Sequence, residues 1–109
     1  MVLQAKMNDV IDKIYLSQDY DQTEVTDYTN HNTDVVVLLA SGKKYIATFF
    51  TYQNIKQLQL QNKESGAFLS GKYFWTNNML LIDECSLESV STVVEELLEE
   101  GEFHNILKA

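Results

Sequence analysis

Cys85 and the two histidines are the residues from which a nucleophilic site could be built. A cysteine thiol becomes a thiolate that can attack a carbonyl carbon when a neighbouring imidazole accepts its proton. Cys85 is the only cysteine, and His31 and His104 are both distant from it in the sequence. The predicted helix that starts at Ser86 could lower the thiol pKa. Because this signal is weak, we interpret Cys85 as a small, partly buried residue at a strand end.

A second candidate is the string GAFLSGK over residues 66–72, which fits the first seven positions of a phosphate-binding loop. Tyr73 stands where such a loop carries the hydroxyl that holds magnesium. The loop also needs a strand before it and a helix after it, so that backbone amides face the phosphates. Here a polar segment precedes the string and a strand is predicted to follow. We therefore interpret it as a turn.

An acidic string, DYDQT, occupies residues 19–23. It resembles the Asp-x-Asp-x-Thr motif of haloacid dehalogenase-type phosphohydrolases, whose first aspartate is a nucleophile and whose second is a general acid. Those enzymes place the motif after a buried strand of a much larger parallel sheet. The string also fails as a calcium loop, because Glu24 replaces the required glycine and Asn30 the bidentate glutamate. We interpret it as a solvated acidic loop.

Three consecutive aromatic residues, Tyr73, Phe74 and Trp75, could form a platform for a ligand. Successive side chains of a strand point to opposite faces, so at least one of the three is expected to face away from a core that covers one face only. We predict that Tyr73 and Trp75 contact a partner; the alternative is that the aromatic residues serve the core alone.

Charge is segregated along the chain. Residues 83–102 contain eight acids and no base, whereas residues 41–72 contain five lysines and one acid. Glutamates crowd the end of a predicted helix, where the helix dipole disfavours anions.

Glu95 with Glu99, and Glu96 with Glu100, are like-charge pairs four residues apart, which destabilise a helix. A sequence selected only for stability would avoid them. We predict that an outward stripe binds a partner; the alternative is a solvated face, or acids that pair with the protein's own lysines. The stripe consists of Glu88, Glu95, Glu99 and Glu102.

Length and composition narrow the function classes. The 109 residues match a single domain with one core, and 45% hydrophobic residues are enough to build that core. The net charge of -8 and the absence of arginine argue against nucleic-acid binding. No apolar run is long enough for a membrane span, and the first twelve residues lack the core of a signal peptide. We expect a cytoplasmic protein that needs no cofactor or metal.

The elements that position these residues follow from periodicity and turns. Apolar residues at helical spacing predict an amphipathic helix over residues 3–16. Residues 17–33 are a polar connection with a short strand around residues 24–28. β-branched and aromatic runs on both sides of Gly42 predict a hairpin over residues 34–51.

The second half of the chain contains further signals. Residues 51–62 fit a helix or a strand, and we favour a short helix capped by Thr51. Residues 73–75 and 79–82 predict a second hairpin. A final helix begins at Ser86 and ends near Gly101, after which the tail folds back.

The predicted fold is α+β, with about four antiparallel strands in two hairpins and two or three amphipathic helices on one face. We expect no enzymatic activity. The function that we predict is that of a non-enzymatic acidic protein that binds a basic protein, such as an inhibitor or immunity-type protein. The alternative is a small subunit or ligand-binding module that uses the aromatic strand. The sequence is also compatible with a homo-oligomer.

Overall fold

A computed structural model describes residues 10–17 and 27–109 of the chain. Within these residues four strands form one sheet in the order β1-β2-β3-β4, which confirms the α+β class. The strands are β1 (Ile11–Leu16), β2 (Asn32–Leu39), β3 (Lys44–Thr51) and β4 (Met79–Ile82). The helical segments in the same part of the chain are α1 (Tyr52–Ser65), α2 (Ala67–Gly71), α3 (Leu87–Glu100) and α4 (Phe103–Ile106).

The centre of the sheet is the predicted hairpin of β2 and β3. The two strands are antiparallel, and Val35 lies opposite Ala47 in the register. Alternate residues of β2, among them Val35 and Val37, are fully buried, because period-2 alternation places them all on one face of the sheet. Gly42, with a φ of 94°, lies in the left-handed region that the tight turn requires. The hairpin prediction is therefore confirmed.

The helix predicted over residues 3–16 is wrong in the part that is described. Residues 11–16 form β1, antiparallel to β2, and residues 3–9 lie outside the described residues. The register shifts between Ile11 and Lys13, which marks a β-bulge. The extra residue places Ile11, Ile14 and Leu16 against the core. The bulge thus creates a spacing of three residues that resembles a helical period.

The second predicted hairpin is also wrong. Residues 73–75 are not a strand, and β4 pairs with β3 in parallel, with Thr48 opposite Met79. The chain between β3 and β4 contains α1, and such a crossover brings the next strand back in the same direction. The segment TNN over residues 76–78 is a turn that leads into β4, with Asn78 at a φ of 54°.

Both long helices begin where the sequence predicts. The Thr51 Oγ1 accepts the Asn54 backbone N–H at 3.1 Å, and the Ser86 Oγ accepts the Ser89 N–H at 3.2 Å. Each hydroxyl satisfies one of the free N–H groups of a first helical turn. The preference for a helix after Thr51 is confirmed, and so is the end of α3 at Gly101, whose φ is 80°.

The core lies between one face of the sheet and α3 with the C-terminal tail. Val90 and Val94 of α3 are fully buried against this face. The tail folds back as predicted, because Phe103 and Leu107 are buried and Lys108 exchanges two backbone hydrogen bonds with Ile46, at 2.7 and 3.0 Å. No described helix has the length and apolar character that crossing a membrane requires.

The predicted short strand around residues 24–28 lies largely outside the described part of the chain. Residues 28–30 form a turn in which the Asn30 N–H donates to the Asp27 carbonyl at 3.1 Å. The Thr29 hydroxyl and backbone N–H both donate to the Asp27 carboxylate, at 2.6 and 3.0 Å. These hydrogen bonds lower the pKa of Asp27, the one from the hydroxyl most strongly.

Candidate functional site

The outer side of α3 is a face of exposed glutamates. Val90 and Val94 point into the core, and the residues opposite them around the helix point to solvent. We call these residues and the first residue after Gly101 the acidic face. Its members, all exposed, are Glu88, Glu95, Glu99 and Glu102. Glu88, Glu95 and Glu99 thus have the helical spacing that the sequence predicts. Glu102 does not continue it, because α3 ends at the left-handed Gly101.

Like charges are close together on this side of the helix. The negative charge of Glu100 raises the pKa of Glu96, and a hydrogen bond with Glu100 and the charge of Glu99 add to the shift. The Glu102 Oε1 accepts a hydrogen bond from the Asn105 side chain at 2.8 Å. The neighbouring carboxylates thus disfavour the charged form of Glu96.

Two residues of the acidic face, Glu88 and Glu95, have no lysine partner in the described part of the chain. Among residues 10–17 and 27–109, no lysine forms an ion pair with Glu88, Glu95, Glu96 or Glu100. Lys56 and Lys72 instead line a groove beside β4. For these four glutamates, the alternative of pairing with the protein's own lysines does not hold among the described residues.

The three aromatic residues lie in an irregular segment between α2 and β4. Phe74 is the inward member, and its ring meets those of Phe50 and Phe68 edge-on, at centroid distances of 5.5 and 5.1 Å. Tyr73 and Trp75 are 51% and 60% exposed. The side chains thus alternate between inward and outward as predicted, although the segment is not a strand. Tyr73 and Trp75, which are predicted to contact a partner, lie on the surface.

Tyr73 opens onto the groove, which has a volume of about 420 Å³. The groove crosses the face of β4 that points away from α3. One wall is α1, and the other is the segment that follows α2. Its lining combines apolar, aromatic and cationic side chains: Tyr52, Ile55, Lys56, Gln59, Lys72, Tyr73, Phe74, Met79 and Leu81, with Gly71.

Cys85 is buried, with no exposed surface. Its Sγ lies 3.6 Å from the His31 carbonyl oxygen and 3.7 Å from that of Phe49. Burial raises the pKa of the Cys85 thiol to about 11, so the neutral form dominates at physiological pH. The thiol therefore lacks the character of a catalytic nucleophile, in agreement with its interpretation as a small buried residue.

The remaining sequence candidates form no site among the residues that the structure describes. The acidic string at residues 19–23 lies outside the described residues. The predicted turn over residues 66–72 is the short helical segment α2, in which Phe68, Leu69 and Ser70 are left-handed. Tyr73 does not begin the predicted strand, and no long helix follows directly. In the part of the chain that is described, no group of three or more histidine, cysteine or acidic side chains is placed to hold a metal ion.

Sequence reasoning missed the groove. Tyr52, Ile55, Lys56 and Gln59 follow a helical spacing and form one side of α1, which was a usable signal. The spacing does not indicate what this side faces. Met79 and Leu81 join it only because β4 is parallel to β3, and the predicted hairpin placed them elsewhere.

No protein-family model, curated protein or solved structure matches this chain.

Proposed function

We propose that this protein is a non-enzymatic binding protein that engages a basic protein partner through the acidic face of α3, in the manner of an inhibitor or immunity-type protein. The observation that carries the proposal is that Glu88 and Glu95 are exposed on one side of α3, with no lysine of the described residues as ion-pair partner. Such charges attract a cationic surface.

The arrangement of α3 supports this proposal. The apolar side of α3 packs in the core through Val90 and Val94. Its acidic side can therefore contact a partner without any change in the fold. A rigid helix also holds the carboxylates at fixed spacing, which favours a defined register with a partner. Long-range attraction accelerates encounter, and salt weakens it.

The experiment compares two double variants that change the net charge equally. Glu88→Gln with Glu95→Gln removes two charges from the acidic face, and Asp12→Asn with Glu64→Gln removes two exposed charges elsewhere. Tagged wild type and both variants are used to capture proteins from the native host, and a captured protein is then purified and its association rate measured at low and high salt. We expect a basic partner whose association slows about tenfold or more with salt and with the α3 variant alone.

Three outcomes would overturn the proposal. These are an acidic partner, an association rate that does not respond to salt, and equal loss of binding in the two double variants. The last outcome would mean that net charge, and not the acidic face, governs binding.

A second candidate function is a ligand-binding module or small subunit that uses the aromatic segment. The exposure of Tyr73 and Trp75, at 51% and 60%, favours it, because these residue types dominate binding energy at many interfaces. A partner whose binding is lost in Trp75→Ala and is insensitive to salt would support this function over the first.

A further inference from the structure

The groove beside β4 is lined by an apolar floor with two cations at its rim. Met79 and Leu81 project from β4 on the side opposite Leu80 and Ile82, which pack toward α3. Phe74 completes the floor. Leu81 is 41% exposed, a large value for an aliphatic residue on a strand. The groove therefore offers apolar surface that the fold itself does not use.

The walls of the groove are held in place by close contacts. Gly71 has a φ of 81°, and a Cβ at this position would lie 2.8 Å from the Gln59 carbonyl oxygen of α1. The Gln59 Nε2 donates to the Gly71 carbonyl at 3.3 Å. Only glycine allows this approach of the two backbones. The groove is thus formed before any ligand arrives, and a preformed site avoids the cost of ordering.

The short segment α2, which precedes the groove wall formed by Tyr73 and Phe74, has a strained backbone. Phe68, Leu69 and Ser70 have φ values of 53°, 55° and 58°, so three consecutive non-glycine residues are left-handed. Each such residue costs about 1–2 kcal/mol relative to the right-handed region. Strain of this kind concentrates at ligand sites, where surrounding contacts hold it. Here it places Phe68 against Tyr73 and Phe74, at ring distances of 5.3 and 5.1 Å.

The charge at the rim identifies the ligand class. Lys56 of α1 and Lys72 of the opposite wall both line the groove, and no carboxylate of the described residues does. Two cations beside an apolar floor complement a molecule with one negative group and an apolar body. We therefore propose that the groove binds a small organic carboxylate with an aromatic or branched aliphatic body. The body covers Phe74, Met79 and Leu81, and the carboxylate lies between the two ammonium groups. This inference is independent of the acidic face.

Size and net charge favour a small ligand over an acidic protein. The volume of about 420 Å³ is within the range of small-molecule sites. The chain has a net charge of -8, which repels a large acidic surface but only weakly opposes a single negative charge.

The test uses 4-phenylbutyrate and its neutral amide, 4-phenylbutyramide, as a matched pair of probes. Each is titrated into the 109-residue protein while backbone amide resonances are followed by NMR. We expect saturable shifts centred on Gly71, Tyr73 and Leu81, with a dissociation constant on the order of 1 mM for a ligand of about twelve non-hydrogen atoms. We expect the carboxylate to bind about fivefold or more tightly than the amide.

Three variants locate the interaction. Lys56→Gln and Lys72→Gln are each expected to weaken carboxylate binding about two- to fivefold and to leave amide binding unchanged. Lys43→Gln, which removes the same charge from the exposed hairpin turn, is expected to change neither. Equal binding of acid and amide, equal effects of all three variants, shifts centred outside the groove, or no saturation at about 10 mM would each overturn the proposal.

Discussion

The two long helices are alike in how they begin and end and differ in what they bury. α1 and α3 both have 14 residues, an extended N-cap with a hydroxyl, and a left-handed glycine at the C-terminal end. α3 buries Val90 and Val94, whereas α1 contains no buried residue. Capping thus determines where a helix starts and stops, and the apolar pattern determines its role. α3 holds the fold together, and α1 is free to form the wall of a groove.

The largest expected effect is a difference in how much α3 and α1 contribute to the free energy of unfolding. Val94→Ala removes two methyl groups from a fully buried site, which we expect to lower the free energy of unfolding by about 2–3 kcal/mol. Ile55→Ala, on the half-buried side of α1, is expected to lower it by about 1 kcal/mol or less. Urea denaturation of both variants measures the difference. Equal losses would mean that α1 is as much a part of the core as α3.

A second test concerns the contact that fixes α1 against the groove wall. Gly71→Ala introduces a Cβ into a left-handed residue next to the Gln59 carbonyl, so we expect a loss of about 2 kcal/mol or more. Gly42→Ala is the matched control, because Gly42 also has a positive φ but nothing lies within 4 Å of its Cβ. It is expected to cost about 1 kcal/mol. Thermal melting of the two variants compares them, and an equal loss would show that the α1 contact is unimportant.

Features that depend on neighbouring residues could be predicted from the sequence. The caps at Thr51 and Ser86, the hairpin turn at Gly42 and the acidic face of α3 all rest on contacts within a few residues. Each has the position and exposure that the pattern indicates. Local chemistry therefore determines the ends and the outward face of an element without knowledge of the fold.

Features that depend on distant pairing could not be predicted. The bulge near Lys13 converts a strand period into a spacing like that of a helix, and only the register with β2 reveals it. The alternating pattern of Met79 and Leu81 fits a hairpin strand and a parallel strand equally well. They lie in the same groove as Lys56 because the crossover through α1 makes β4 parallel to β3. The groove is therefore a product of topology and not of any single segment.

Cys85 offers a test at the start of α3. Burial raises its pKa from the ordinary 9.0 to about 11, so the unfolded thiol ionises at lower pH than the native one. The resulting stability is fully present below pH 9 and is lost as the pH rises to about 11. The measurement is the difference between wild type and Cys85→Ala in urea unfolding over this pH range. We expect the wild type to lose more stability over this window; parallel pH curves would contradict a buried neutral thiol.

The smallest effect tests whether the two ends of α3 have opposite electrostatics. Glu96→Gln relieves repulsion with Glu100 at the C-terminal end, so we expect a melting temperature about 1–2 °C higher at pH 7. Glu88→Gln, in the first turn, removes a favourable interaction with the helix dipole and is expected to lower it by a similar amount.

The pH dependence distinguishes this repulsion from other causes of stabilisation. Because the pKa of Glu96 is raised above 4.5, the native carboxyl takes up its proton before the unfolded one does, and wild type gains stability as the pH falls toward 4.5. Glu96→Gln cannot show this gain, so the two proteins are expected to converge near pH 4.5. The pKa of Asp27 is lowered from 3.8, and its contribution is lost only below that value. Differential scanning calorimetry from pH 7 to pH 3 measures the convergence of wild type with Glu96→Gln and the later loss of stability from Asp27. A difference between wild type and variant that stays constant with pH would show that Glu96 is not destabilised by the neighbouring carboxylates at the C-terminal end of α3.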